Sequence, residues 1–153
     1  IVASMVISLF EGTLEEIVAV AILMPIVASM GGNAGTQTMT VTVRALAMKE
    51  LSATNAMRVV GKEVLVGGIN GVLFAILSGV VAWFWFENIG LGLVIAMAMV
   101  VNMLVAGIAG TTIPLFLERL GADPAVASSV FLTTITDVVG FAAFLGLAAV
   151  FLL

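Results

Sequence analysis

One acidic residue, Asp137, stands near the middle of an apolar run of membrane-spanning length, residues 128–145 (SSVFLTTITDVVGFAAFL). A carboxylate at the centre of a membrane helix costs roughly 2.5–3.5 kcal/mol on insertion scales, so it needs a cavity, a partner or a cation. At helical spacing Ser129, Thr133, Thr136, Asp137 and Gly140 fall at i, i+4, i+7, i+8 and i+11 and share one face. The opposite face is Val, Phe, Leu and Ile. A small, polar side carrying one formal charge reads as part of an ion path. The structural alternative, a hydrogen bond accepted by Asp137 from Asn102 or from the second span, stays open.

A second polar set precedes it. Residues 31–40 read GGNAGTQTMT, in which Asn33 and Gln37 are four apart and stack on one helical face, with Thr40 a turn further on. Gly31 and Gly35 form a GxxxG pair that lets a neighbouring helix approach closely. Amides at membrane depth mark either a helix–helix contact or a wet surface.

The chain holds neither Cys nor His. Disulfides, thiolate or imidazole metal sites, Cys nucleophiles and His-based triads are thereby excluded. A bound metal must be a hard, oxygen-seeking cation such as Mg²⁺, Ca²⁺ or Mn²⁺. An intramembrane aspartyl protease needs a second Asp at membrane depth, and a Ser–Lys dyad needs a Lys there. The sequence supplies neither, so it does not read as an enzyme.

Of the 153 residues, 63% are hydrophobic and 9% charged, against about 25% charged in soluble domains. The chain is therefore an all-α integral membrane protein that meets a lipid bilayer, and nothing in it is basic enough to bind nucleic acid. Residues 1–10 are half the roughly 20 needed to span hydrocarbon and read as the end of a first helix. The chain opens on apolar Ile1 without a signal peptide, which predicts a piece of a longer protein. Residues 11–16 (EGTLEE) read as an acidic turn, whose Glu11, Glu15 and Glu16 are either ordinary loop charges or a solvated mouth. Further spans are expected at 17–43, where Pro25 favours a kink, and at 64–86, which ends in the aromatic belt Trp83–Phe86. Two more follow at 91–116 and 125–153. In the polar connection 44–63, residues 47–51 are expected to finish the preceding helix and Ser52 or Thr54 to cap a short interfacial helix. Asp123-Pro124 is expected to start the last span.

The result is a five-helix bundle whose first helix is N-terminally truncated. All five basic residues, Arg44, Lys49, Arg58, Lys62 and Arg119, lie in the second-to-third or fourth-to-fifth connections, while Glu11, Glu15, Glu16 and Glu87 lie on the other side. The positive-inside rule puts those two connections in the cytoplasm and the C-terminus outside, in a multi-pass protein of the cell membrane.

The stretch from Pro25 to Leu46, PIVASMGGNAGTQTMTVTVRAL, resembles the MgtE family of magnesium channels and transporters, with its P-x₅-GGN-x-G-x-Q pattern followed by an Arg. Thr136-Asp137-Val138-Val139-Gly140 is similar to the family's [ST]-D-x-x-G in the last helix, and Arg119-Leu120-Gly121-x-Asp123-Pro124-Ala125 to the entry of that helix. The resemblance covers essentially the whole chain. It implies transport of Mg²⁺, with other divalent cations as further candidates, by a two-fold symmetric homodimer whose ion path is lined by the second and fifth helices. It also implies Asp137 as the central ion-recognising residue, a Thr133 backbone carbonyl that helps hold the hydrated ion, and a pore-facing Asn33. With Thr136 and Gly140 beside them, these are the expected metal-contacting residues.

Family members carry a cytosolic N-terminal domain and paired CBS domains. This sequence carries neither, so residues 1–153 read as a single transmembrane pore domain. Some relatives have Asn-Pro where Ser129-Val130 stand here. Two carboxylates meeting on a two-fold axis repel unless a cation sits between them, which a dication satisfies. A wide ring of oxygens holding an ion that keeps its waters suits conduction. A proton- or sodium-coupled exchanger, and a passive assembly module with a structural Asp137, are the rival readings.

Overall fold

The computed structural model describes residues 1–51 and 55–153. The expected caps Ser52 and Thr54 lie outside the described residues. Six helices follow in order: α1 (Val2–Ser8), α2 (Glu11–Glu16), α3 (Val18–Ala47), α4 (Ala56–Phe86), α5 (Ile89–Arg119) and α6 (Pro124–Phe151). Four of them, α3 to α6, contain segments long and apolar enough to cross a membrane. At 1.5 Å per residue, helices of 28 to 31 residues extend over about 42–46 Å and overshoot a hydrocarbon core of about 30 Å.

The overshoot explains where expectation and structure part. α4 begins at Ala56, not near residue 64, and takes Arg58, Lys62 and Glu63 into its first two turns. These residues are good helix formers, and at the interface their charged ends stay in water while the backbone bonds internally. α3 continues through Pro25 and ends at Ala47, within the residues 47–51 expected to finish it. The acidic stretch expected to be a turn is the short helix α2, closed by a bond from the Ile17 N–H to the Thr13 carbonyl at 3.0 Å. Asp123 starts α6 as expected: its Oδ1 accepts from the Ala125 N–H at 2.9 Å, with Pro124 at the first helical position. Asn88 does the same for α5, accepting from the Leu91 N–H at 3.1 Å. Between α4 and α5, Glu87 reverses the chain in the left-handed region (φ 52°).

α5 is the centre of the bundle and packs on α3, α4 and α6; α3 and α6 also pack on each other, and α1 leans on α6. Burial follows from this plan. Half of the α5 span is buried, but only 11% of the α4 span, which touches little besides α5. The main core, at one end of the α3–α5–α6 triangle, is built from Val20, Val27, Ile95, Ala98, Phe144 and Leu145. The α4–α5 seam is closed by backbone meeting backbone. A Cβ on Gly92 would stand 2.6 Å from the Gly79 carbonyl oxygen, and one on Gly79 would stand 2.9 Å from the Gly92 oxygen. Small residues are what such an approach requires.

Candidate ion-conduction face

α6 presents two different polar edges. Leu132, Thr136 and Gly140 are buried against the bundle, while Ser129 and Thr133 are exposed and Asp137 is half-buried. The face expected to act as one is thus divided. Thr136 turns its hydroxyl inward, donating to the carbonyls of Leu132 (3.1 Å) and Thr133 (3.2 Å). Gly140 lies against Asn102, where an added Cβ would come within 2.7 Å of the amide nitrogen. Ser129, Thr133 and Asp137, spaced i, i+4 and i+8, remain on the open edge.

α3 supplies the neighbouring edge. Ser29, Asn33, Thr36 and Thr40 are all exposed, at i, i+4, i+7 and i+11. The hydroxyls of Thr36 and Thr40 donate to the carbonyls four residues earlier, each at 2.8 Å. Their oxygens therefore face outward as acceptors, which suits a hydrated cation. The Thr133 hydroxyl donates the same way, to the Ser129 carbonyl at 3.0 Å. Gly32 faces Thr136, and the next residue on each helix is Asn33 and Asp137. The two residues expected at the ion path therefore sit at one level on adjacent helices. Gln37 is exposed as well, but it lines a cleft toward α4.

The carboxylate of Asp137 has no hydrogen bond or ion pair among the described residues. Asn102, its candidate partner, is engaged elsewhere. Wholly buried on α5, it donates from Nδ2 to the Val27 carbonyl of α3 at 2.8 Å, and its Oδ1 has no partner among the described residues. Gly31 of α3 and Gly140 of α6 flank it, and a Cβ on Gly31 would overlap the amide. Asn102 is thus the pin that holds α3 and α6 at a fixed separation beneath the polar edges.

The sequence marks Asn102 as a polar residue in an apolar helix, but its pinning role depends on which glycines surround it. Ser29 and Thr36 extend the Asn33–Thr40 stripe at the same helical spacing, a signal the sequence carries. Glu11, Glu15 and Glu16 of α2 are exposed, and α2 packs on α3 and α6, so they stand at one end of the polar edges. Among the described residues no three acidic side chains converge as a metal cage. One chain brings one carboxylate to this face.

The family model described as MgtE, divalent cation transporter, matches residues 24–147. The chain is 38% identical over 146 residues, 95% of its length, to the magnesium transporter MgtE of Enterococcus faecalis, covering 32% of that protein. It is 32% identical over 152 residues (99% of the chain, 34% of the relative) to the magnesium transporter MgtE of Bacillus subtilis. To that of Thermus thermophilus it is 34% identical over 152 residues (99% and 33%). The chain spans about a third of the length of these curated relatives. With the matched region running from the start of the Pro25 motif to beyond Asp137, the chain belongs to the MgtE family of divalent cation transporters.

Proposed function

We propose that this chain is a transmembrane pore domain that moves Mg²⁺ across the cell membrane along the polar edges of α3 and α6. The observation that carries the reading is Asp137: a carboxylate at mid-membrane depth, without a protein partner among the described residues, on an open edge level with Asn33. A bare carboxylate facing hydrocarbon is costly. Facing a second copy of itself across a two-fold axis, it becomes half of a dication site. The homodimer and the five-helix count, with α1 as the end of the first helix, belong to this reading.

Mg²⁺ gives up its waters reluctantly, so the pair of Asp137 carboxylates holds the hydrated ion. The Thr133 carbonyl and Asn33 amide accept hydrogen bonds from its waters. Thr136 and Gly140 act from beneath, Thr136 by fixing the Thr133 carbonyl and Gly140 by seating α6 on Asn102. The site must release what it binds, and contact through water keeps it weak enough to conduct. By the positive-inside rule, the basic ends of α3, α4 and α5 support a cytoplasmic side for the 47–56 and 119–124 connections and an outside C-terminus.

Mg²⁺ flux into proteoliposomes tests this, with wild type beside Asp137→Ala and folding checked by size exclusion. Wild-type flux that persists at constant pH without Na⁺, and is lost in the variant, is the expected result. Equal flux in both removes Asp137 from the path. Flux that requires a proton or Na⁺ gradient replaces the channel with a coupled exchanger.

A further inference from the structure

A second polar cavity lies away from the Asp137 edge. α3 and α4 touch only lightly, and the gap between them, floored by Met103 and Gly107 of α5, encloses about 200 Å³. Its polar lining is Gln37 and Thr38 from α3 and Glu63 and Asn70 from α4; α6 contributes nothing. Glu63 is half-buried, and its Oε2 accepts from the Thr38 hydroxyl at 3.3 Å. That bond is the carboxylate's sole partner among the described residues, and the Gln37 and Asn70 amides have none. Lys62, next in the chain, is exposed and does not line the cleft.

From this lining we infer a second cation site, in which Glu63 holds a hydrated divalent cation with Thr38, Gln37 and Asn70 as neutral oxygen ligands to its water shell. Size decides for the hydrated ion. Bare Mg²⁺ needs oxygens at about 2.0–2.1 Å on all sides, which a cleft this wide does not offer. At roughly 30 Å³ per water the volume admits on the order of six waters. One carboxylate with amide carbonyls and a hydroxyl accepts from such a shell. Water reaches the place: Glu63 lies 22 residues before Trp85 of the aromatic end, about 33 Å along α4 and so at the opposite interface. An ion here ties α3 to α4 across a gap that protein contacts leave nearly unbridged. The site stands whether or not Asp137 conducts.

Mn²⁺ alone is the probe, titrated into the full chain in lipid nanodiscs and followed by electron paramagnetic resonance. Glu63→Gln should remove one class of Mn²⁺ sites, and Thr38→Val should weaken that class about tenfold, as for a group that orients a ligand. Because the chain has no Cys, a single spin label can be placed at Val66→Cys in the cleft or at Leu77→Cys beyond it. Bound Mn²⁺ should broaden the first signal and not the second, also when Asp137→Asn is present. Titrations of wild type and Glu63→Gln that superimpose overturn the site, as does broadening at Val66→Cys that disappears with Asp137→Asn. If Glu63→Gln does not fold, unchanged affinity in Thr38→Val overturns it instead. Unaltered Mn²⁺ binding in Asp137→Asn alone counts against the conduction path and leaves this site untouched.

Discussion

Along the outside of α4 stand Leu65, Ile69, Leu73, Ile76, Leu77 and Phe84, each more than half exposed; along the open edges of α3 and α6 stand Ser29, Asn33, Thr36, Thr40, Ser129 and Thr133, exposed too, with Asp137 beside them. Both surfaces are uncovered by this chain, and their chemistry is opposite. An aliphatic surface is at rest against lipid tails, which are as apolar as Leu. A set of hydroxyls with one amide and one carboxylate is not, because hydrocarbon offers it no hydrogen bonds. In a membrane helix, therefore, exposure must be read together with residue type. α4 is suited to lipid, and the α3–α6 edges are suited to water, an ion or a second copy.

The sharpest way to break this contrast is at its one charge. Asp137→Asn keeps the shape and the hydrogen-bonding capacity of the side chain and removes the charge. Unit charges about 4 Å apart interact by about 4 kcal/mol at an effective dielectric of 20, and a dication doubles the attraction. Contact through water discounts that figure, and a loss of about 100-fold or more in Mg²⁺ flux is still expected. Near-wild-type initial rates in Asp137→Asn proteoliposomes would show that the polar edge works without its charge.

The converse substitution tests the lipid side. Leu73→Asp places a carboxylate on α4 at membrane depth, where no polar neighbour lines the surface. It should cost roughly 3 kcal/mol of insertion, read as misinserted α4 in a glycosylation or cysteine-accessibility assay. Normal insertion would mean that α4 also borders water.

A smaller effect separates a sealed seam behind the polar edges from an open surface of α4. On Gly31 a methyl would overlap the Asn102 amide, whereas at Gly61 of α4 nothing lies within 4 Å of the added carbon. Gly31→Ala should lower stability by about 1–3 kcal/mol through overpacking. Gly61→Ala should raise it by up to about 1 kcal/mol through helix propensity. Thermal unfolding in detergent reads both. Combining Gly31→Ala with Asn102→Ala should recover part of the loss, since the two atoms compete for one space.

How much of this was legible beforehand depends on the range of the interaction. The four long helices and the Asp123 cap are local, set by residues within a few turns of one another, and they read directly. The start of α4 did not, because charged helix formers at an interface extend a helix past its hydrophobic run. Thr136 and Gly140 were placed with Asp137 by angle alone. A helix face spans more than one environment, and which part is sealed depended on Gly32 and Asn102 from other helices. The Glu63 cleft was the least visible, since Glu63 looked like a loop charge until α4 proved to begin at Ala56.

The mildest test sits at Thr36. Its hydroxyl hydrogen is already given to the Gly32 carbonyl at 2.8 Å, so only its outward lone pairs remain for a passing ion's water. Valine keeps the β-branch and nearly the same shape, so α3 should fold as before. What changes is the wetting of one position on the proposed path, and an apolar spot in a conduit raises the barrier locally. With Asn33 and Thr40 flanking it, the loss should be modest, about two- to threefold in the initial rate of Mg²⁺ flux. A tenfold loss would mean that the ion's waters bond to Thr36 itself and that α3 carries more of the recognition than α6. No change at all would put Thr36 outside the conduit and confine the polar face to Asn33 and the α6 edge.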